Sequence, residues 1–114
     1  MQLIQVEIWT DGSCNPNPGD AGVGIVLKSN GRIKEISEFL GASTNNKAEV
    51  RAAIVGVLAL NCPEQCDVTL YTDSDLIAVV FNGGWRARDT KPLMEQLKEV
   101  TSRCGRFRVV KVDR

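Results

Sequence analysis

The feature that most constrains this sequence is a change of period near Ser43. Before it, Leu3 to Thr10 alternates in part, with the two-residue period of a strand. After it, Ala48, Ala52, Val55 and Ala59 recur at helical spacing. From Val68 to Thr72 the chain is short and β-branched again. A helix between two strands usually makes a parallel crossover, so the sequence predicts an α/β fold with a sheet that is at least partly parallel.

The rest of the chain fills in the order. Leu3 to Thr10 carries Ile4, Val6 and Ile8 on one side with Leu3 and Trp9 among the residues on the other, which predicts a central strand apolar on both faces. Asp11 to Gly19 is dense in turn formers and reads as a loop. Ala21 to Leu27 and Ile33 to Leu40 are strands joined by Asn30-Gly31, a strong hairpin signal. Asn46 and Glu49 have capping-box spacing ahead of a helix over Ala48 to Leu60, with Glu49 in its first turn and Pro63 as the stop. Asp75 to Phe81 reads as one or two helical turns, broken by Asn82-Gly83-Gly84. Thr90 to Cys104 is a second long helix with Pro92 in its first turn and Gly105 as its cap. Phe107 to Val112 is the fifth strand. The expected fold is a five-stranded mixed sheet, β-β-β-α-β-α-β, with helices packed on it, as one domain over residues 1–114.

Composition excludes several classes. Hydrophobic residues at 43% and charged residues at 25% suit a globular domain. No apolar run approaches the ~20 residues of a membrane span, and no basic leader precedes the N-terminal apolar stretch. A cytoplasmic location is the expectation. The sequence contains no histidine, which removes Ser-His-Asp and Cys-His catalysis and His-ligated zinc. Cys62 and Cys66 are not a C-x-x-C pair, and Cys14 and Cys104 supply no second closely spaced pair for zinc. Reduced, structural thiols are expected.

Charge is balanced overall but not along the chain. Residues 1–82 hold five basic against ten acidic groups, and residues 83–114 hold nine against four. This asymmetry suits a polyanion partner towards the C-terminal side and a cation site towards the other, or simply a solvated basic helix face.

Three carboxylates stand where chemistry gathers in such a fold. Asp11 ends the first strand, Asp73 ends the fourth and Glu49 opens the first helix. Singly, each has an ordinary structural role in a turn or a cap. Brought together they repel unless cations lie between them. Oxygen donors without histidine favour Mg²⁺ or Mn²⁺, and a pair of such ions about 3.5–4 Å apart suits in-line phosphoryl chemistry.

The local contexts match a known pattern. The blocks are Thr10-Asp11-Gly12-Ser13-Cys14 with Asn17-Pro18-Gly19, then Thr44-Asn45-Asn46-Lys47-Ala48-Glu49, then Tyr71-Thr72-Asp73-Ser74. In order and spacing they resemble the type 1 ribonuclease H family, and the likeness runs over essentially the whole chain. The resemblance implies cleavage of the RNA strand of RNA–DNA hybrids by two divalent ions, Mg²⁺ or Mn²⁺. It implies that Asp11, Glu49 and Asp73 are catalytic metal ligands, with Asp11 shared between the ions and Glu49 near the RNA 2′-hydroxyl. Gly12, Ser13, Cys14, Asn17, Asn45 and Asn46 match positions that read the minor groove and its 2′-hydroxyls, the group that distinguishes RNA from DNA. Ser74, Trp85 and Arg86 match positions that touch the substrate or its DNA strand, with Trp85 offering an aromatic platform among cations.

The resemblance also implies a fourth carboxylate on a helix after the fifth strand. The sequence stops at Lys111-Val112-Asp113-Arg114, about where the preceding loop should begin. The alternatives are three carboxylates completed by water, Asp113 as substitute, a group donated by a second chain, or a trimmed or weakly active protein. A hybrid-binding module with little catalysis is therefore the competing reading, and a DNA-directed nuclease or recombinase on the same fold is a third.

Overall fold

The computed structural model describes residues 2–81 and 90–113. Its strands are β1 (Ile4–Cys14), β2 (Gly19–Ser29), β3 (Arg32–Ser43), β4 (Cys66–Thr72) and β5 (Arg106–Lys111). Its α-helices are α1 (Asn45–Leu58), α2 (Asp75–Phe81) and α3 (Lys91–Thr101), with a short 3₁₀ turn at Pro63–Gln65. The sheet order is β3-β2-β1-β4-β5. β1, β2 and β3 pair antiparallel, whereas β4 runs parallel to both β1 and β5. This is the expected mixed sheet with β1 at its centre.

The hairpin between β2 and β3 forms on Asn30 and Gly31, both at positive φ (51° and 77°), the geometry that a tight primed turn requires. At the other end of β3 the register skips Leu40, pairing Gly22 with Phe39 and Ala21 with Gly41. Gly41 adopts φ 75° there, and the bulge bends the strand towards the start of α1.

The core lies between one face of the sheet and the helices. Ile8, Ile25, Val50, Val68, Leu70, Ile77 and Leu97 are fully buried within it. α1 packs against β1 and β2 and takes α3 on another side. It is therefore buried around most of its circumference, at Ala48, Val50, Ala52, Ala53, Ile54 and Val57. The contact is close: a Cβ on Gly56 would meet Ile8 Cγ2 at 2.8 Å.

Five expectations need correction. β1 is central but not buried on both faces, since Gln5, Glu7 and Trp9 are exposed on the face away from α1. Trp9 stacks there on Tyr71, with ring centroids 4.1 Å apart and planes within 7°, and Lys28 Nζ lies 5.7 Å from the Trp9 ring. Asp11 to Cys14 is strand, not loop, because it pairs with β2 from Asp11↔Gly24 to Cys14↔Ala21. The cap of α1 is Thr44, whose Oγ1 accepts from the Lys47 N–H at 3.2 Å. The helix thus starts at Asn45, Asn46 is already inside it, and Glu49 falls in its second turn. Helix α3 stops at Thr101, short of Cys104. Gly105 is no left-handed cap; its N–H donates to Pro63 O at 3.0 Å, where a side chain would strike Glu64 O and Leu3.

Candidate active site

The site is assembled where β1 outruns its neighbour. The parallel pairing of β1 with β4 ends at Trp9↔Tyr71. Asp11 and Asp73 each lie two residues further on, so both continue from that stacked pair at the same step. Glu49 arrives from α1. Gly12 permits this approach: a Cβ there would sit 2.6 Å from Ala48 C and O and 2.8 Å from Glu49 N. With no side chain at Gly12, α1 rests directly on β1. One carboxylate oxygen from each of Asp11, Glu49 and Asp73 then lies within 4.8 Å of the others. Glu49 is buried at 8% exposure, Asp73 is half-buried and Asp11 is exposed.

The carboxylates border two concavities. Glu49 and Asp73 line a cleft of about 620 Å³ with Gly12, Ser13, Asn45 and Asn46. Asp11 faces an adjoining groove over β2 and β3, which Ser13 also lines. The donor set tests the metal expectation directly. It is oxygen only and compact, which suits a divalent cation that takes oxygen ligands.

The polar residues around the cluster are tied to one another. Asn45 Oδ1 accepts the Cys14 N–H at 2.8 Å, and the Asn45 N–H donates to Asn17 Oδ1 at 3.1 Å. Asn17 does not line the cleft; its Oδ1 holds the Asn45 N–H. The Cys14 thiol faces the interior with Ala21 and Ala48, its Sγ 3.1 Å from Ser43 O. Cys14 nonetheless lines the cleft beside Ser13. Ser74 lines the cleft but its Oγ is engaged, accepting the Ile77 N–H at 3.2 Å as the start of α2. Trp85 and Arg86 lie outside the described residues.

Two residues of the cleft carry no signal in the sequence. Lys111 ends β5 and Asp75 begins α2, and their Nζ and Oδ1 lie 3.1 Å apart. The Asp75 hydrogen bond and charge, then Asp113 and Asp73, hold the Lys111 ammonium above the ordinary lysine range.

Comparison with known proteins decides the family. The RNase H family model matches residues 4–111. The chain belongs to the RNase H family. Ribonuclease H of Caldanaerobacter subterraneus subsp. tengcongensis is 50% identical over 80 residues, covering 70% of this chain and 51% of that protein. Ribonuclease H of Citrobacter koseri is 43% identical over 99 residues, covering 80% and 63%. The chain thus spans between half and two-thirds of the length of these relatives. Among solved structures, RNase H1 of the archaeon Halobacterium salinarum NRC-1 superposes with a TM-score of 0.86 at 30% identity, over 96% of this chain and 86% of that one. LC11-RNase H1, solved in complex with an RNA/DNA hybrid, gives 0.85 at 27% identity over 96% and 86%. The five-stranded mixed sheet and its helices are those of RNase H structures.

Proposed function

We propose that this chain is a metal-dependent endoribonuclease that hydrolyses the RNA strand of RNA–DNA hybrids. The observation that carries the reading is the cluster of Asp11, Glu49 and Asp73 within 4.8 Å, at the strand ends of an RNase H fold. The LC11-RNase H1 complex supports the choice of substrate.

Asp11, Glu49 and Asp73 would hold Mg²⁺ or Mn²⁺. Such ions, when bound, lower the pKa of water and neutralise charge on the phosphate. The chain's own residues do the rest. Gly12 lets Glu49 approach Asp11. The Cys14–Asn45–Asn17 bonds fix the first turn of α1 against β1, so Asn45 and Asn46 reach the minor groove from a rigid base. Their short amides and the Ser13 hydroxyl suit a 2′-hydroxyl, which both donates and accepts. Ser74 sets the start of α2 beside Asp73. Water attacks the scissile phosphorus in line with the departing 3′-oxygen, leaving 5′-phosphate and 3′-hydroxyl ends.

The test is cleavage of an end-labelled hybrid with each metal, wild type against Asp11→Asn. Loss of cleavage in the variant supports the mechanism. Activity that survives it sinks the mechanism, and hybrid binding without turnover in either metal points to a binding module instead.

A further inference from the structure

The end of β5 is pinned beside the carboxylates. Lys111 pairs with Thr72 in the parallel ladder, and the Val112 N–H donates to Thr72 O at 2.9 Å. This fixes Lys111 one residue from Asp73 across the sheet. Among the described residues lining the cleft Lys111 is the one cation, against Glu49, Asp73, Asp75 and Asp113. Its side chain keeps 35% exposure and that of Asp75 keeps 88%. An ammonium has three N–H donors, and Asp75 engages one of them at 3.1 Å. The ammonium can therefore engage a ligand while it keeps Asp75.

Position determines which ligand. β5 lies across β4 from β1, and α1 packs on β1 and β2. Lys111 therefore stands on the opposite side of Asp73 from Asn45 and Asn46. A strand held with its riboses at Asn45 and Asn46 and its scissile phosphate at the carboxylates would continue towards Lys111. A polyanion entering this acidic cleft meets Lys111 as the one positive charge among the described residues that line it.

We propose that Lys111 Nζ binds a non-scissile phosphate of the RNA strand next to the cleaved bond, and that Asp75 is the positioning residue that holds it there. The proposal rests on the hybrid-hydrolase reading of the same cleft. Lysine suits the task as a flexible, hydrated point charge. The exposed pair adds little to stability, so its removal leaves the fold in place.

The experiment compares wild type, Lys111→Met, Lys111→Arg and Asp75→Asn on hybrids that carry one neutral methylphosphonate, walked along the RNA strand beside the cleavage site. Lys111→Met is expected to raise KM about tenfold with kcat within about twofold. Wild type should lose a similar factor when one particular phosphate is neutral, and Lys111→Met should lose nothing further there. Lys111→Arg should restore the phosphate dependence. Asp75→Asn should raise KM by less, and by nothing in the Lys111→Met background. Anisotropy with Ca²⁺ in place of Mg²⁺ should show the slope of log affinity against log salt falling by about one in Lys111→Met. Lys111→Gln, with circular dichroism on every variant, separates misfolding from lost contact. Wild-type cleavage with KM and salt slope unchanged in both neutral variants overturns the Lys111 assignment alone. Absence of wild-type cleavage in either metal overturns the hydrolase reading, and the Ca²⁺ binding arm then decides Lys111 by the same slope. Absence of hybrid binding overturns both.

Discussion

Asn45 and Cys14 are joined at 2.8 Å, side-chain oxygen to backbone N–H, across 31 residues of sequence. The bond ties the first residue of α1 to the last residue of β1. Replacing Asn45 with Ala leaves the half-buried Cys14 N–H without this acceptor and is expected to cost about 1–3 kcal/mol, read from the urea midpoint. Asn45→Asp keeps the acceptor and should retain most of that stability. It loses the amide donor, so its affinity for hybrid should fall although it stays folded. Equal losses of stability in the two variants would show that the carbonyl oxygen is not what matters.

Gly12 and Gly24 pair with residues on the same two strands but differ in what surrounds them. A methyl group at Gly12 meets backbone of Ala48 and Glu49 at 2.6–2.8 Å, whereas at Gly24 the nearest atom is Asp11 O at 4.0 Å. Gly12→Ala is expected to destabilise by about 1–3 kcal/mol or more, because helix backbone must move. It should also lower cleavage by displacing Glu49. Gly24→Ala should melt within a few degrees of wild type. Differential scanning calorimetry of the two single variants checks the contrast.

On the proposed function, divalent cations bound at the carboxylate cluster stabilise the fold. Asp11 is the exposed member of the cluster, so Asp11→Asn is expected to change stability by no more than about 0.5 kcal/mol in EDTA. With Mg²⁺ at a hundred times its dissociation constant, wild type should gain about 2.7 kcal/mol by mass action. The variant should gain far less. Thermal melts with and without Mg²⁺ test this, and an equal gain in both proteins would place the ion elsewhere.

The far end of the domain supplies a pH dependence. Burial, and then the neighbouring Cys66, push the Cys104 thiol up to about 11 from an ordinary 9.0, and burial raises Cys66 as well. The unfolded chain therefore gives up the Cys104 proton first. The stability contributed by a protonated Cys104 is complete below pH 9 and is lost as pH rises towards 11. Unfolding midpoints should fall over that range, and Cys104→Ala should flatten the decline. At neutral pH the exposed Cys62 should react with iodoacetamide before Cys66 or Cys104.

What the sequence discloses about the site depends on how local each determinant is. Asp11 and Asp73 are legible because each follows a β run directly, and a βαβ crossover makes those two strands neighbours. Glu49 is legible as a residue but not in its turn. Four adjacent residues from Ser43 to Asn46 can all cap a helix, and Thr44 prevails where the bulged end of β3 delivers the chain. Lys111 is not legible at all, since its place beside Asp73 depends on the Thr72↔Lys111 register, which nothing in Arg106 to Lys111 encodes locally. The extent of β1 is hidden for a related reason. Asp11 to Cys14 has the composition of a turn, yet it pairs with β2 from Asp11↔Gly24 to Cys14↔Ala21.

β1 passes its last β4 partner at Trp9 and carries on to Cys14 with β2 alone. Strand side chains alternate, so deleting one residue between Val6 and Asp11 would turn the aspartate to the helix side while Asp73 kept its place. Loop tips such as Asn30-Gly31 tolerate insertions well. The molecule thus has one segment whose length is fixed to the residue and another, at the far end of the neighbouring strand, where extra residues or a fused tag can be accommodated without disturbing the acidic cluster.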